Sequence, residues 1–274
     1  MGRPLWFVRL LKRTFPGRFV AARATHLPIL GRLVDRWLFD GDDLIFLPQD
    51  QVVQTISVNE AIDRPGEMVL PSRVVEHFVE QARVHWVMDF CLCRAAEGCR
   101  DYPIELGCLF LGEAALGINP ELGRRVTKEE ALAHVQRCRE AGLVHLVGRN
   151  KLDTVWLGVE PGHQLLTVCH CCPCCCLWGV LPHVATRISS KIQRMPGVTV
   201  SVNDRCVGCG ICTEGVCFVD AIRLEDGRAV IDLGCRGCGR CVDVCPQGAI
   251  DLSIEDGRFV DHAIAHIATL VDLD

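Results

Sequence analysis

Eight cysteines near the C-terminus constrain this chain more than any other feature. They fall in two runs: Cys206, Cys209, Cys212 and Cys217, then Cys235, Cys238, Cys241 and Cys245. The second run reads C-x-x-C-x-x-C-x-x-x-C-P and ends in Cys245-Pro246; the first reads C-x-x-C-x-x-C-x-x-x-x-C. Such spacing wraps a backbone around a cubane [4Fe-4S] cluster, the fourth cysteine of each run reaching across to the other cluster. Each iron takes one terminal thiolate, and two intervening residues let successive cysteines reach different corners. Gly208, Gly210, Gly237 and Gly239 lie between ligands, where glycine tolerates a sharp turn and lets amide N–H groups approach sulfur. Pro246 stiffens the exit of the loop, and Ala249-Ile250 opens an apolar stretch suited to cover a cluster. A pair of zinc knuckles is the weaker alternative, because zinc sites pair C-x-x-C units and rarely use four-cysteine runs.

With these motifs, residues 197–255 resemble a bacterial two-[4Fe-4S] ferredoxin domain. The resemblance implies one cluster on Cys206, Cys209, Cys212 and Cys245, and a second on Cys235, Cys238, Cys241 and Cys217. It also implies single-electron transfer. The chain departs from the family pattern around Cys217, with one extra residue in Thr213-Glu214-Gly215-Val216 and Phe218 in place of the usual proline.

Eleven further cysteines lie outside these runs. Cys91, Cys93, Cys99 and Cys108 form one group. Cys169, Cys171, Cys172, Cys174, Cys175 and Cys176 form another, with His170 among them. Buried cysteine is often only a small hydrophobe, which suits Cys138, isolated in a helical segment. It does not suit six thiols in eight residues, where neighbouring cysteines pair poorly as disulfides and an unligated run would oxidise. Both groups are therefore expected to bind metal. One or two additional Fe–S clusters are the favoured contents, with zinc, a metal-free redox thiol set and a metal-delivery site as alternatives. The strands leading to Cys91 and Cys169 are expected to be neighbours, bringing both groups to one sheet edge. Arg94 and Arg100 flank these cysteines; Arg94 either raises the potential of a nearby cluster or pairs with Asp89 or Glu97. The C-x-C-R and C-x-C-C-x-C-C-C patterns are similar to those of uncharacterised ferredoxin-domain proteins, a resemblance that implies no activity.

An odd count of 19 cysteines and the absence of a signal-peptide pattern argue against a disulfide framework and for a reducing cytoplasm in an anaerobic setting. Residues 1–40 carry eight basic and two acidic side chains, leaving the remainder near −11 within an overall charge of −5. An acidic body suits a carrier that docks on basic redox partner proteins. No apolar run is long enough to span a bilayer. Two basic amphipathic helices are expected at residues 5–15 and 28–39. They pack on the protein's own core or a partner subunit, or lie on the inner face of a membrane.

Along the rest of the chain, short strands are expected within 41–60, at 85–90, 143–148, 153–158 and 164–169, and in the C-terminal part at 198–202, 228–233 and 249–254. Helices are expected at 72–82, 105–116, 127–141 with a Thr127/Glu130 capping box, and 260–271. The helix at 127–141 followed by strands is like a winged-helix unit in outline, but it is not basic enough for nucleic acid. No nucleotide-binding signature and no hydrolytic triad is evident.

The expected fold is α+β, in three parts: residues 1–60, a basic helical segment with short strands; 61–196, a cysteine-rich metal-binding domain; and 197–274, the ferredoxin domain with a C-terminal helix. Three functions compete: electron transfer between a redox partner and the middle metal site, a reductase with its catalytic cluster or thiols there, and a cluster assembly or delivery factor. Whether the chain is an enzyme is left open, with an iron–sulfur oxidoreductase or a subunit of one as the enzymatic option.

Overall fold

The computed structural model describes residues 2–56, 70–254 and 258–273. Residues 57–60 of the expected strand stretch, and the division at 60/61, lie outside the described residues. The architecture is mixed α/β. Twelve strands occur in the described residues: β1 (Asp43–Phe46), β2 (Val53–Ile56), β3 (His85–Met88), β4 (Leu109–Leu111), β5 (Gly123–Val126), β6 (Val144–Arg149), β7 (Leu166–Cys171), β8 (Ile192–Arg194), β9 (Val198–Val202), β10 (Ile222–Glu225), β11 (Arg228–Ile231) and β12 (Ile250–Ile254). The helices are α1 (Leu5–Thr14), α2 (Arg18–Ala24), α3 (Pro28–Val34), α4 (Ser72–Gln81), α5 (Leu92–Glu97), α6 (Lys128–Glu140), α7 (Lys151–Leu157), α8 (Thr186–Ser189), α9 (Arg240–Asp243) and α10 (Phe259–Ala268).

A seven-stranded sheet runs in the order β5-β3-β4-β7-β6-β1-β8, antiparallel except for the parallel β1/β8 pair. A three-stranded sheet, β2-β12-β9, and the β10-β11 hairpin carry the C-terminal cysteine runs. The short strands of residues 43–56 thus divide between the two sheets. Strand alternation sorts side chains onto opposite faces: Ile45 joins one buried layer while Leu44 and Phe46 join the other. On the first face, Val74, Val75 and Phe78 of α4 and Ala131 and Val135 of α6 cover Val87, Leu109, Leu111 and Val168. That layer continues without a break into Val198, Leu252 and Ile254 of the smaller sheet and Phe259, Ala263 and Ile267 of α10. The C-terminal helix therefore closes on both units.

Two expected elements change type. Residues 105–116 form not a helix but β4, buried between β3 and β7, followed by a short 3₁₀ turn. Gly107 passes so close to β3 that an added Cβ would stand 2.3 Å from the Met88 carbonyl oxygen, and Gly112 has φ 102°. Both positions suit a crossing strand rather than a helix. Residues 153–158, expected as a strand, are the end of α7. Asp153 Oδ1 accepts from Trp156 Nε1 at 2.7 Å, and Gly158 closes the helix with φ 69°. With a helix after β6, and β6 paired to both β1 and β7, the helix-plus-hairpin likeness to a winged helix disappears. The capping box is present: Glu130 N donates to Thr127 Oγ1 at 3.2 Å and Thr127 N to Glu130 Oε2 at 2.8 Å.

Candidate iron–sulfur and cysteine sites

The C-terminal runs fold around two hollows. One is lined by Cys206, Cys209, Cys212 and Cys245; the other by Cys217, Cys235, Cys238 and Cys241. The fourth cysteine of each run has crossed to the other hollow. Gly208, Gly210, Gly237 and Gly239 all have φ between 65° and 85°, which side-chain-bearing residues rarely adopt. Amides point at the sulfurs in a repeated pattern. Ala221 N donates to Cys217 Sγ at 3.3 Å, and Ala249 N donates to Cys245 Sγ at 3.3 Å, in each case from four residues downstream. Ala229 N and Gly237 N donate to Cys206 and Cys235 at 3.4 Å. Hydrogen bonds of this kind stabilise thiolate, the form that ligates iron. Four sulfurs and inward amides around each hollow fit a cubane. The extra residue before Cys217 is absorbed at Gly215, where φ is 68° and an added Cβ would meet nothing within 4 Å. Phe218, in place of proline, packs on Phe46 of the large sheet with ring centroids 4.9 Å apart.

Residues 205–250 match the family model of the 4Fe-4S dicluster domain. This part of the chain is a ferredoxin-like iron–sulfur domain. No curated protein and no solved structure matches the chain.

The ferredoxin-like domain has an open and a covered side. Cys209 is exposed, beside exposed Val207 and Ile211. The other hollow faces the large sheet. There Gln49 N donates to the Cys238 carbonyl at 3.1 Å, and Arg240 Nη2 donates to the Cys171 carbonyl. Arg240 is 5% exposed, and its Nε and Nη1 are buried without a hydrogen-bond partner among the described residues.

The remaining cysteines gather at one end of the seven-stranded sheet. β3 and β7 are not neighbours as expected; β4 lies between them and contributes Cys108 at its entry, with Cys108 Sγ 3.9 Å from Cys169 Sγ. A cavity is lined there by Cys91, Cys93, Cys108, Cys169, Cys171, Cys172 and Cys176, with Trp156, Trp178 and Phe15 among its apolar walls. A hydrogen bond to Cys93, followed by burial, pushes the Cys93 thiol up through its tie to Cys91, whereas the same bond brings Cys91 down to about 6. Cys99, Cys174 and Cys175 stay outside this cavity. With Cys172 they form a separate group whose sulfurs all lie within 4.8 Å of one another.

Arg94 lies under the cavity with no exposed surface. It pairs with neither Asp89, which binds Arg124 at 3.2 Å, nor Glu97, which binds Arg18. Instead Nε donates to Pro103 O and Nη1 to His170 O, both at 2.8 Å, and Nη2 to Leu106 O. Burial works against its charge, but the neighbouring sulfurs of Cys91, Cys172 and Cys108 more than offset this and raise its pKa. Arg100 is exposed.

Four buried groups went unseen in the sequence: His134, His145, Asp153 and Arg240. His145 Nδ1 meets His170 Nδ1 at 2.8 Å, and burial drives the His145 pKa down to about 3. Cys138, expected as a plain hydrophobe, is fully buried with its sulfur 3.6 Å from His134 Nε2. The i, i+4 spacing of His134 and Cys138 was the available signal.

Proposed function

We propose that this chain is an iron–sulfur electron-transfer protein. Two [4Fe-4S] clusters, on Cys206/Cys209/Cys212/Cys245 and Cys217/Cys235/Cys238/Cys241, would serve a redox partner at the Cys209 face. A further Fe–S cluster would be held within the large cavity by thiolates among Cys91, Cys93, Cys108, Cys169, Cys171 and Cys176. These groups would supply single-electron carriage.

Arg94 is the observation that carries the reading of the cavity. A guanidinium with no exposed surface costs several kcal/mol unless an anion answers it; the groups facing it are the sulfurs of Cys91, Cys172 and Cys108, and the Cys91 thiol is brought down to about 6. Thiolates crowded in an apolar cavity repel one another unless they share metal ions. Arg240 and the Phe46–Phe218 contact join this region to the second ferredoxin hollow, as single-electron passage requires.

Iron and acid-labile sulfide in anaerobically purified protein, with EPR after reduction, test this. About twelve irons per chain are expected, and about eight would sink the third cluster. Rapid loss of the additional iron to a mild chelator would instead favour a delivery factor.

We further propose that residues 2–40 seat the protein on the anionic inner face of a membrane. No helix among the described residues is long and apolar enough to cross one. Trp6, Leu10, Ile29, Leu33 and Trp37 are exposed, and Arg9, Arg13, Arg32 and Arg36 are exposed around them. Flotation with anionic liposomes should carry the full chain and not W6A/W37A; equal flotation of both would dismiss the membrane contact.

A further inference from the structure

The eleven cysteines outside the ferredoxin runs do not form one site, and the spacing of their sulfurs separates two chemistries. In the group Cys99, Cys172, Cys174 and Cys175 every sulfur lies within 4.8 Å of every other. Cys174 Sγ stands 3.6 Å from both Cys99 Sγ and Cys175 Sγ. A tetrahedral ion with metal–sulfur bonds of about 2.3 Å sets its four sulfurs roughly 3.8 Å apart. A cubane spreads its thiolates to roughly 6 Å, because each bond projects outward from a different corner of the iron tetrahedron. The ferredoxin quartets provide the internal comparison: among the described residues they form no group closed to 4.8 Å, and this quartet does.

The backbone supports the same conclusion. Cys175 N donates to Cys172 Sγ at 3.4 Å across the Cys172-Pro173-Cys174 turn. That turn thus folds back onto its leading cysteine and leaves the other lone pairs of the Cys172 sulfur for a metal. The set is all cysteine and supplies four ligands, which suits a closed tetrahedral site for zinc.

We infer that Cys99, Cys172, Cys174 and Cys175 bind one Zn²⁺ ion and that this site is structural. It joins the loop after α5 to the turn after β7. Cys171 and Cys176, which line the large cavity, bracket that turn, so the ion fixes where their sulfurs stand. The assignment rests on the quartet's own geometry and holds whatever the large cavity contains.

The test is elemental analysis of the full chain purified anaerobically, with acid-labile sulfide measured on the same samples. Wild type should carry about one zinc per chain beside its iron. C174S, at an exposed position, and C99S should each lose that zinc while keeping the ferredoxin irons and sulfide. Cobalt exchanged into wild type should show the visible bands of a tetrahedral tetrathiolate ion, absent from both variants. Wild type without zinc would overturn the inference. So would loss of about four irons and four sulfides from C174S, the signature of a cubane at this quartet. Far-UV circular dichroism of C174S separates metal loss from unfolding.

Discussion

In the ferredoxin-like domain, contiguous four-cysteine runs turn on glycines, and each hollow receives three sulfurs from one run and one from the other. At the end of the seven-stranded sheet, sulfurs arrive from the entry to α5, the entry to β4, the end of β7 and the turn beyond it. Charge differs as well. The ferredoxin sulfurs receive backbone amides, partial charges that require no counter-ion. The second region places a whole guanidinium, Arg94, under its thiols. The lesson is that a local ligand motif can be neutralised by its own backbone, whereas a site assembled from distant segments requires a buried side chain to tie the segments and balance the charge.

The largest expected effect that would break this comparison is at Arg94. Arg94→Met removes three hydrogen bonds to carbonyls on two segments, Pro103 and Leu106 on one and His170 on the other, and takes the guanidinium charge from under the cavity sulfurs that face it. A loss of about 3–5 kcal/mol is expected, typical of breaking a buried charge pair, together with the middle-domain iron. Reduced-state EPR of the ferredoxin-like domain should persist. Arg94→Lys should not rescue the iron, since an ammonium cannot span three carbonyls as a planar fork does. If R94M keeps its full iron content and stability, the charge argument fails and the two regions are held by the same means.

A smaller effect is expected at Arg240, between the regions. Its charge favours the reduced, more negative state of any cluster nearby. Arg240→Gln should therefore lower the potentials of the second ferredoxin cluster and the middle site, by about 59 mV for each tenfold change in a one-electron equilibrium. The cluster at Cys209, on the open side, should hardly move. Redox titration followed by EPR resolves this, and equal shifts in all signals would show that Arg240 is not local to the junction.

Elements with strong local signals were readable before folding. Thr127 and Glu130 announced α6, and alternation announced β9, where Val198 and Val200 turn inward. β4 misled because Leu109-Phe110-Leu111 is apolar on both faces, and a fully buried strand carries no period to distinguish it from a helix. α7 misled because its support is tertiary: Asp153, buried against the sheet, accepts from Thr167 at 2.9 Å as well as from its own turn. Arg94 stands out in the sequence, but of its two expected roles, tuning a cluster or pairing with Asp89 or Glu97, the pairing does not occur, and the distant His170 carbonyl is one of the groups it binds.

The sequence by itself determined the ferredoxin-like domain, because the cysteines of each run are separated by only two to four intervening residues and glycine dihedrals shape the loops between them. Only the tertiary structure divided the other cysteines. Residues as close as Cys174 and Cys176 end at different sites, Cys174 beside Cys99 and Cys175 and Cys176 in the large cavity, and β4 carries Cys108 to Cys169 across 61 positions of chain. Sulfur–sulfur spacing, which separates a single ion from a cluster, exists only once those strands are paired.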